Sequence, residues 1–340
     1  QKWFEVYSSL ASSGVNVVGG RVAGPAVGGL TLGGGYSWYT VKQFNVVLPD
    51  GTITKATPTF NQDLFWALKG GMNRFGIVTS VVLATHPQTP LAWSGFRYYT
   101  GEALPALVDA IDKFYATSQD PKTELLPTFY AGIEGGLTPV FFFHDGPNKP
   151  PAFDLFDNIT SLVDTTHPQS FSDFAASIPV TTDGVRTRGA FHIFSTTALT
   201  RKFLEAIRNE TVAFYSIAAQ HPGTTASFDV GPFTKFGQFA TDSAFPHANS
   251  PLPLNIYFTW LLPSEDQFWY GQIRDLVARL KAVATAEGIF EKGVASYPNY
   301  ALANTTAEEL YGSVNAAKLR LVRLRIDPFR IMDLAGGFSI

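Results

Sequence analysis

The chain has no cysteine and only two methionines among its 340 residues. The missing thiol excludes disulfides, thiolate metal sites, a cysteine nucleophile and a cysteinyl bond to a cofactor, and it leaves the redox compartment open. Charge is scarce as well: Asp, Glu, Lys and Arg make up 16% of the chain, with a net charge of −3. Lys and Arg never run together for more than two residues, so neither a nucleic acid nor an anionic membrane has an electrostatic footprint. There is no stretch of eighteen apolar residues, the length a helical membrane span needs. The six histidines are scattered without His-x-x-x-His or His-Glu-x-x-His spacing, so no metal site is arguable. The Ser-Gly pairs lack the nucleophile elbow of a serine hydrolase.

What is present is apolar and aromatic. Hydrophobic residues reach 45% and aromatics 14%, with 29 Phe, a composition that suits broad β-surfaces and a pocket walled by rings. The length allows two domains. Three N-x-[ST] sequons, at Asn158, Asn209 and Asn304, lean towards a secreted, extracellular glycoprotein. Gln1-Lys-Trp-Phe-Glu reads as mid-structure, and no signal peptide is visible.

Residues 1–90 read as a glycine-punctuated α/β segment. It has a helix over Lys2–Ser13 and two strands joined by a turn at Pro49-Asp50-Gly51. A short helix over Asn61–Leu68, capped by Asn61, precedes a β-branched strand from Gly76. From about 91 to 290 the texture changes. Amphipathic helices (Ala103–Thr117, Thr200–Gln220, Glu265–Glu287) alternate with aromatic strands (Pro139–His144, Leu254–Trp260), which implies an antiparallel sheet backed by helices. The last fifty residues, 291–340, return to a compact style with a helix over Thr306–Arg325.

The stretch Gly19–Gly35 holds eight glycines in seventeen residues. Glycine is entropically costly to order, so the density needs a reason. Backbone that must approach a phosphate or flat ring is one reason; tight turns in a β-rich domain are an equal alternative. The stretch is neither a dinucleotide-binding G-x-G-x-x-G nor a Walker loop.

Three ordered blocks carry a resemblance. They are Gly19-Gly-Arg-Val-Ala-Gly…Val-Gly-Gly-Leu-Thr-Leu-Gly-Gly-Gly-Tyr-Ser, then Asn61-Gln-Asp-Leu-Phe-Trp-Ala-Leu-Lys-Gly-Gly-Met-Asn-Arg-Phe-Gly-Ile-Val-Thr, and lastly Tyr297-Pro-Asn-Tyr300…Asp327-Pro. Together they resemble fungal berberine-bridge-enzyme-like oxidases of the vanillyl-alcohol-oxidase kind. The resemblance implies an α+β fold, with a PCMH-type bipartite FAD-binding domain (1–90 and 291–340) and an inserted substrate domain (91–290). It also implies FAD facing the backbone at Val27, Gly28, Gly29, Gly33 and Gly34, the adenosine half against Gly76, Ile77 and Val78, and Tyr297 and Asn299 returning to meet the flavin ring. The family's N-terminal flavin segment, with its flavin-linking histidine, is absent from the given sequence, as is a loop between Thr40 and Val41. Val22 stands where some relatives carry a flavin-linking cysteine, and Pro25-Ala26 where Val-Gly or Ile-Gly is usual.

For catalysis, the resemblance to carbohydrate-oxidising members implies Tyr300 as the base, with Tyr297 beside it and Asp229 as the assisting carboxylate. A phenol, with an ordinary pKa of about 10, needs such help or a positive neighbour. Tyrosines ending a strand serve equally as packing residues, and Asp229 as a turn residue. Tyr297 and Tyr300 are expected on one extended strand. His247 in Phe-Pro-His is placed at the pocket rim, with a structural role as the alternative. Asn255 and Tyr257 share a strand face on the substrate side, or else a solvent-facing row. Gln238 stands near where alkaloid-converting members carry a catalytic glutamate; an amide cannot serve as that base. The implied activity is an FAD-dependent oxidase taking hydride from an alcohol or hemiacetal carbon of a carbohydrate or secondary metabolite. Oxygen is the acceptor, H2O2 the product, and the chain is expected to act as a monomer. The alternative is a flavin-binding or flavin-free protein that keeps the fold without turnover.

Overall fold

A computed structural model describes residues 1–22, 24–35, 40–118, 120–132, 136–178, 187–231, 239–249 and 252–340. Helix α1 (Trp3–Leu10) buries Trp3 and Tyr7, and is followed by the short helix α2 (Val27–Leu32) inside the glycine stretch. Strands β1 (Val41–Val47), β2 (Ile53–Ala56) and β3 (Ile77–Leu83) form a three-stranded antiparallel sheet in the order β2-β1-β3. Helix α3 (Gln62–Leu68) lies between β2 and β3 in the chain and buries all but its first two residues. Its expected Asn61 cap is corrected: the Asn61 side chain donates instead to Thr54 Oγ1 at 3.2 Å and Lys55 O at 2.9 Å. Asn61 also sits in the left-handed region at φ 51°, not the extended backbone from which a capping oxygen reaches the first-turn N–H groups.

The second sheet is built from β4 (Ala92–Tyr99), β5 (Thr123–Gly132), β6 (Thr138–His144), β7 (Arg188–Thr196), β8 (Gly223–Val230) and β9 (Leu252–Trp260). The spatial order is β4-β6-β5-β8-β9-β7, antiparallel throughout, with two short strands (Val163–Asp164 and His167–Gln169) pairing on β4. Helices α4 (Leu104–Thr117), α6 (Arg201–Ala218) and α7 (Asp266–Ala286) cover one face. Their apolar residues recur every three or four positions, as in Trp269, Ile273, Leu276, Val277, Leu280 and Ala284 of α7, the spacing that makes one buried stripe. Thr200 caps α6 through its side chain. Helix α5 (Phe171–Ser177) packs on α1 through Phe171 and Tyr7, whose rings meet edge to face at 5.0 Å. The abundance of phenylalanine has its use in the helix-backed core, where Phe142 meets Phe153 and Phe156 edge to face at 4.9 and 5.2 Å.

A second core joins distant parts of the chain. Phe44, Val46, Leu64, Trp66 and Phe75 from the first 90 residues share it with Tyr297, Leu310, Tyr311, Leu319 and Phe338 from the last 50. Helix α8 (Ala307–Ile326), opened by a Thr306–Glu309 capping box, supplies much of the closing surface. The Arg74–Asp333 ion pair at 2.9 Å and the hydrogen bond from Tyr311 Oη to Gly70 O at 3.1 Å tie the two ends together. Strand β7 stands between the cores: Ala190 and Phe194 face the helix-backed core, and Ile193 faces the second one.

Gly76 starts β3 with φ +138°, and a Cβ there would collide with the Val47 carbonyl. Both the dihedral and the space reject a side chain. Gly76→Ala is therefore expected to lose on the order of 2–3 kcal/mol of stability in urea denaturation. A variant with an unchanged midpoint would show that the strand entry relaxes freely.

Candidate functional site

The site lies where α2, the second core and the face of the large sheet opposite its helices meet. Along β9, Leu254, Ile256 and Phe258 point into the helix-backed core. By the two-residue period of a strand, Asn255 and Tyr257 point to the opposite face. Register places Asp229 and Ile193 beside Asn255, and Ser227 and Phe191 beside Tyr257. Three rings stack in a row over this face. Tyr257 lies 4.2 Å from Phe191, and Phe191 lies 5.2 Å from Tyr300, with interplanar angles of 19° and 26°. Tyr297 closes the row edge-on, 5.0 Å from Tyr300.

Tyr297 and Tyr300 do not lie on an extended strand as expected. Pro298–Tyr300 forms a 3₁₀ turn, because Pro298 presets the φ that starts one. The turn still brings the two rings together and tucks Asn299 beneath them. Asn299 Nδ2 donates to Tyr297 Oη at 2.8 Å, and its amide occupies the space a side chain at Gly33 would fill. Tyr297 is 4% exposed, and burial, followed by the nearby Tyr300, pushes its phenol far above the ordinary value.

The expected cofactor contacts divide. At Gly28 and Gly29 of α2, an added Cβ would meet no protein atom within 4 Å. A side chain at either position would project into open space, one turn before Gly33, where Asn299 packs. Gly33 and Gly34 are glycines for protein reasons: Gly33 receives Asn299, and Gly34, at φ +84°, receives the Phe245 ring at 3.0 Å. Gly76 is likewise occupied by Val47, and Val78 packs against the second core, while Ile77 is 64% exposed. Of the three, Ile77 has the most exposed side chain.

His247 is not at a rim. It is 2% exposed, with Nδ1 2.9 Å from Phe245 O and Nε2 2.5 Å from Gly34 O. The ring holds the Gly34 backbone from below, and it can donate from one nitrogen only while neutral. The loop carrying it is pinned by Trp66 Nε1 to Asp242 at 2.8 Å and by Asn315 Nδ2 to Ala244 O at 3.0 Å. Gln238 lies outside the described residues.

Asp229, read from the sequence as an assistant to Tyr300, does not act alone. Ser227 Oγ donates to it at 3.0 Å, Asn255 Nδ2 donates at 2.9 Å, and Arg21 pairs with it at 3.6 Å. Arg21 was missed by sequence reasoning. Burial works against its charge, and Tyr300 and Asp229, with Tyr297, raise its pKa above the ordinary value. The one available signal was its place as a charged residue inside a run of glycines. Among the described residues no cluster of His, Asp and Glu could hold a metal ion.

Burial, outweighing the two carbonyls, lowers the His247 pKa to about 3. An unfolded histidine takes its proton near pH 6.5, so the neutral ring stabilises the fold above that pH. This contribution is lost progressively as pH falls from about 6.5 towards about 3. The melting temperature is expected to fall over this range, and His247→Gln to flatten the fall by about 1.4 kcal/mol per pH unit. Parallel curves for the two proteins would remove His247 as the cause.

No family model matches the chain. An uncharacterized FAD-linked oxidoreductase of Arthroderma benhamiae is 29% identical over 376 residues, covering 100% of this chain and 73% of the relative. An FAD-dependent monooxygenase of Arthrobotrys oligospora is 30% identical, covering 99% of this chain and 67% of the relative. Among solved structures, a BBE-like protein of Physcomitrella patens superimposes with a TM-score of 0.73 at 16% identity, covering 97% of this chain and 74% of its own. Xylooligosaccharide oxidase from Myceliophthora thermophila, in complex with xylobiose, gives 0.71 at 20% identity, covering 97% and 75%. The fold is thus that of the PCMH-type, berberine-bridge-like flavin oxidases, and no helix among the described residues is long and apolar enough to cross a membrane. With similarity to the Arthrobotrys enzyme running almost end to end, the chain belongs to the FAD-linked oxidoreductases and takes FAD as its cofactor.

Proposed function

We propose that this enzyme is an oxidase that removes a hydride from an alcohol or hemiacetal carbon and passes the electrons to oxygen, giving H2O2. The observation that carries the reading is the row of rings ending in Tyr300, joined to the glycine helix by Asn299, which packs on Gly33 and donates to Tyr297 Oη. Gly28 and Gly29 on that helix lie open, with no protein atom where a side chain would project. When bound, FAD supplies the two-electron acceptor. In this reading Val27, Gly28 and Gly29 hold the cofactor through backbone, Asn299 and Tyr297 form the wall beside it, and residues 1–90 and 291–340 build its domain around the inserted 91–290.

The chain's own residues divide the remaining work. Tyr257 and Phe191 offer ring faces on which a sugar or a planar metabolite stacks, and Asn255 orients Asp229. Tyr300 takes the substrate's hydroxyl proton. Tyr297, kept protonated by burial, shapes the wall without exchanging one. His247 supports Gly34 from beneath. The ring-lined site suits a carbohydrate, such as that of the xylooligosaccharide oxidase, or a fungal secondary metabolite. The reading includes secretion and a monomer, with glycans at the exposed sequons Asn158, Asn209 and Asn304.

Relatives named monooxygenases, prx3 of Penicillium roqueforti among them at 28% identity, favour a second reading in which one oxygen atom enters the product. An anaerobic reduction followed by reoxidation in ¹⁸O₂ separates the two. The oxidase reading expects one H2O2 per substrate and no label in the product, and label in the product overturns it. Purified protein is expected to be yellow. Tyr300→Phe should slow reduction of the bound flavin by roughly 10²–10⁴-fold, and Tyr297→Phe by less than about tenfold. A colourless protein, or a Tyr300→Phe variant as fast as wild type, would sink the proposal.

A further inference from the structure

The three N-x-[ST] sequons read alike in the sequence, but the fold gives them different surroundings. Asn158 and Asn304 stand in turns, whereas Asn209 stands on α6. The helix sorts the neighbours of Asn209 by direction. Thr211 is 7% exposed, and its hydroxyl donates back to Ile207 O at 2.9 Å. Glu210 is held by Arg279 of α7, which donates from Nε at 2.7 Å and from Nη2 at 2.8 Å. Asn209 is exposed, and its Oδ1 accepts from Arg208 Nη2 at 3.1 Å. An arginine only donates, so the amide oxygen is the atom turned to it, and Nδ2 lies on the other side of the amide.

Beside Asn209 is a cavity of about 450 Å³ lined by Gly101, Leu104, Pro105, Arg208, Asn209 and Val212. The start of α4 forms one wall and the middle of α6 the other. Val212 follows Asn209 by three residues and so shares its helix face; it is 58% exposed. Leu104 is half-buried, and a Cβ on Gly101 would meet no atom within 4 Å. The result is a shallow apolar groove with an amide nitrogen and a guanidinium at its rim.

So few apolar side chains would hold a free ligand only weakly. A tethered occupant differs, because its effective concentration is millimolar and weak contacts then suffice. A sugar ring carries C–H faces for the apolar wall and hydroxyl oxygens for the arginine.

We propose that Asn209 carries an N-linked glycan whose first N-acetylglucosamine lies in this groove, with its C–H face and acetyl methyl on Val212 and Leu104 and a hydroxyl oxygen accepting from Arg208. The inference rests on the secretion included in the proposed function and is independent of the oxidase chemistry. In the transfer, Asn209 Nδ2 attacks C1 of the sugar in a lipid-diphosphate-linked oligosaccharide supplied by the secreting cell. The bond from C1 to the diphosphate oxygen breaks and the Nδ2–C1 bond forms. One amide proton goes to solvent and the lipid diphosphate leaves, with nothing oxidised or reduced. The sequon's hydroxyl takes part in recognition, and in the folded helix Thr211 is closed off. Transfer therefore belongs to the unfolded chain, and the groove receives the sugar once α6 has formed.

The test uses protein secreted from a yeast host, its glycans trimmed to a single N-acetylglucosamine by an endoglycosidase. Peptide mass spectrometry reads the occupancy of each sequon, and Asn209 is expected to be filled. Val212→Ser is then expected to lower the Tm by about 1–2 °C more in the sugar-bearing protein than in the Asn209→Gln background. Val314→Ser, at a residue 79% exposed on α8, should cost the same in both and controls for general effects. Should Asn209→Gln secrete poorly, an amidase that strips the sugar and leaves a carboxylate supplies the bare reference. Asn209 bare beside filled Asn158 and Asn304 overturns the proposal and leaves secretion standing. Equal Val212→Ser losses with and without the sugar overturn it too, since the sugar then does not touch the groove. Three bare sequons defeat the secretion reading and this proposal together.

Discussion

Asn299 fills the space that a side chain at residue 33 would need, and the arrangement of the site depends on that contact. It joins the glycine stretch to the C-terminal segment with nothing between them. The neighbouring residues on both sides are then committed. Gly34 meets Phe245, His247 supports the backbone of Gly34, and Tyr297 and Tyr300 turn towards the sheet. A larger residue at 33 would push the 3₁₀ turn outward and break the ring row at its Tyr300 end. Glycine here is a packing requirement of the protein, and the open backbone at Gly28 and Gly29 is a different matter a turn and a half away.

Burial sorts the titratable groups into two layers. The lower layer, Tyr297 and His247, is almost fully enclosed and held uncharged by desolvation. The upper layer, Arg21 and Asp229, is part-exposed and paired. Tyr300 lies at the boundary. This division is what makes two tyrosines three residues apart unequal.

Much of the fold was legible because its periods are strong. The helices over 104–117, 201–218 and 266–286 have repeating apolar stripes, and the strand pair around Pro49-Asp50-Gly51 has an unambiguous turn. Local rules failed where tertiary contacts overrode them. Asn61 looks like a cap but takes a left-handed backbone that turns its oxygen away from the helix, and Tyr297–Tyr300 looks extended but turns at Pro298. In the site, only Tyr300 lies in a recognised block; Asp229, Asn255 and Tyr257 meet through strand register, which the sequence shows only as alternation along one strand. Arg21 could not be ranked from the sequence, because what distinguishes it is a partner on β8 far along the chain. His247 was misplaced for the converse reason: a histidine after proline says nothing about which way its nitrogens face.

The second core has a consequence for how the protein is made. Leu64 and Trp66 of α3 are completed by Leu310, Tyr311 and Leu319 of α8, which leave the ribosome roughly 240 residues later. At about 5–20 residues per second, the apolar face of α3 waits on the order of ten to fifty seconds for its cover. The helix-backed core closes earlier, from sequence lying wholly between. The nascent chain therefore passes through a state in which one half is folded and the future cofactor side is exposed and adhesive. Chaperone dependence and misassembly during synthesis should concentrate in the first 90 residues, although the finished protein shows no sign that they were ever the vulnerable part.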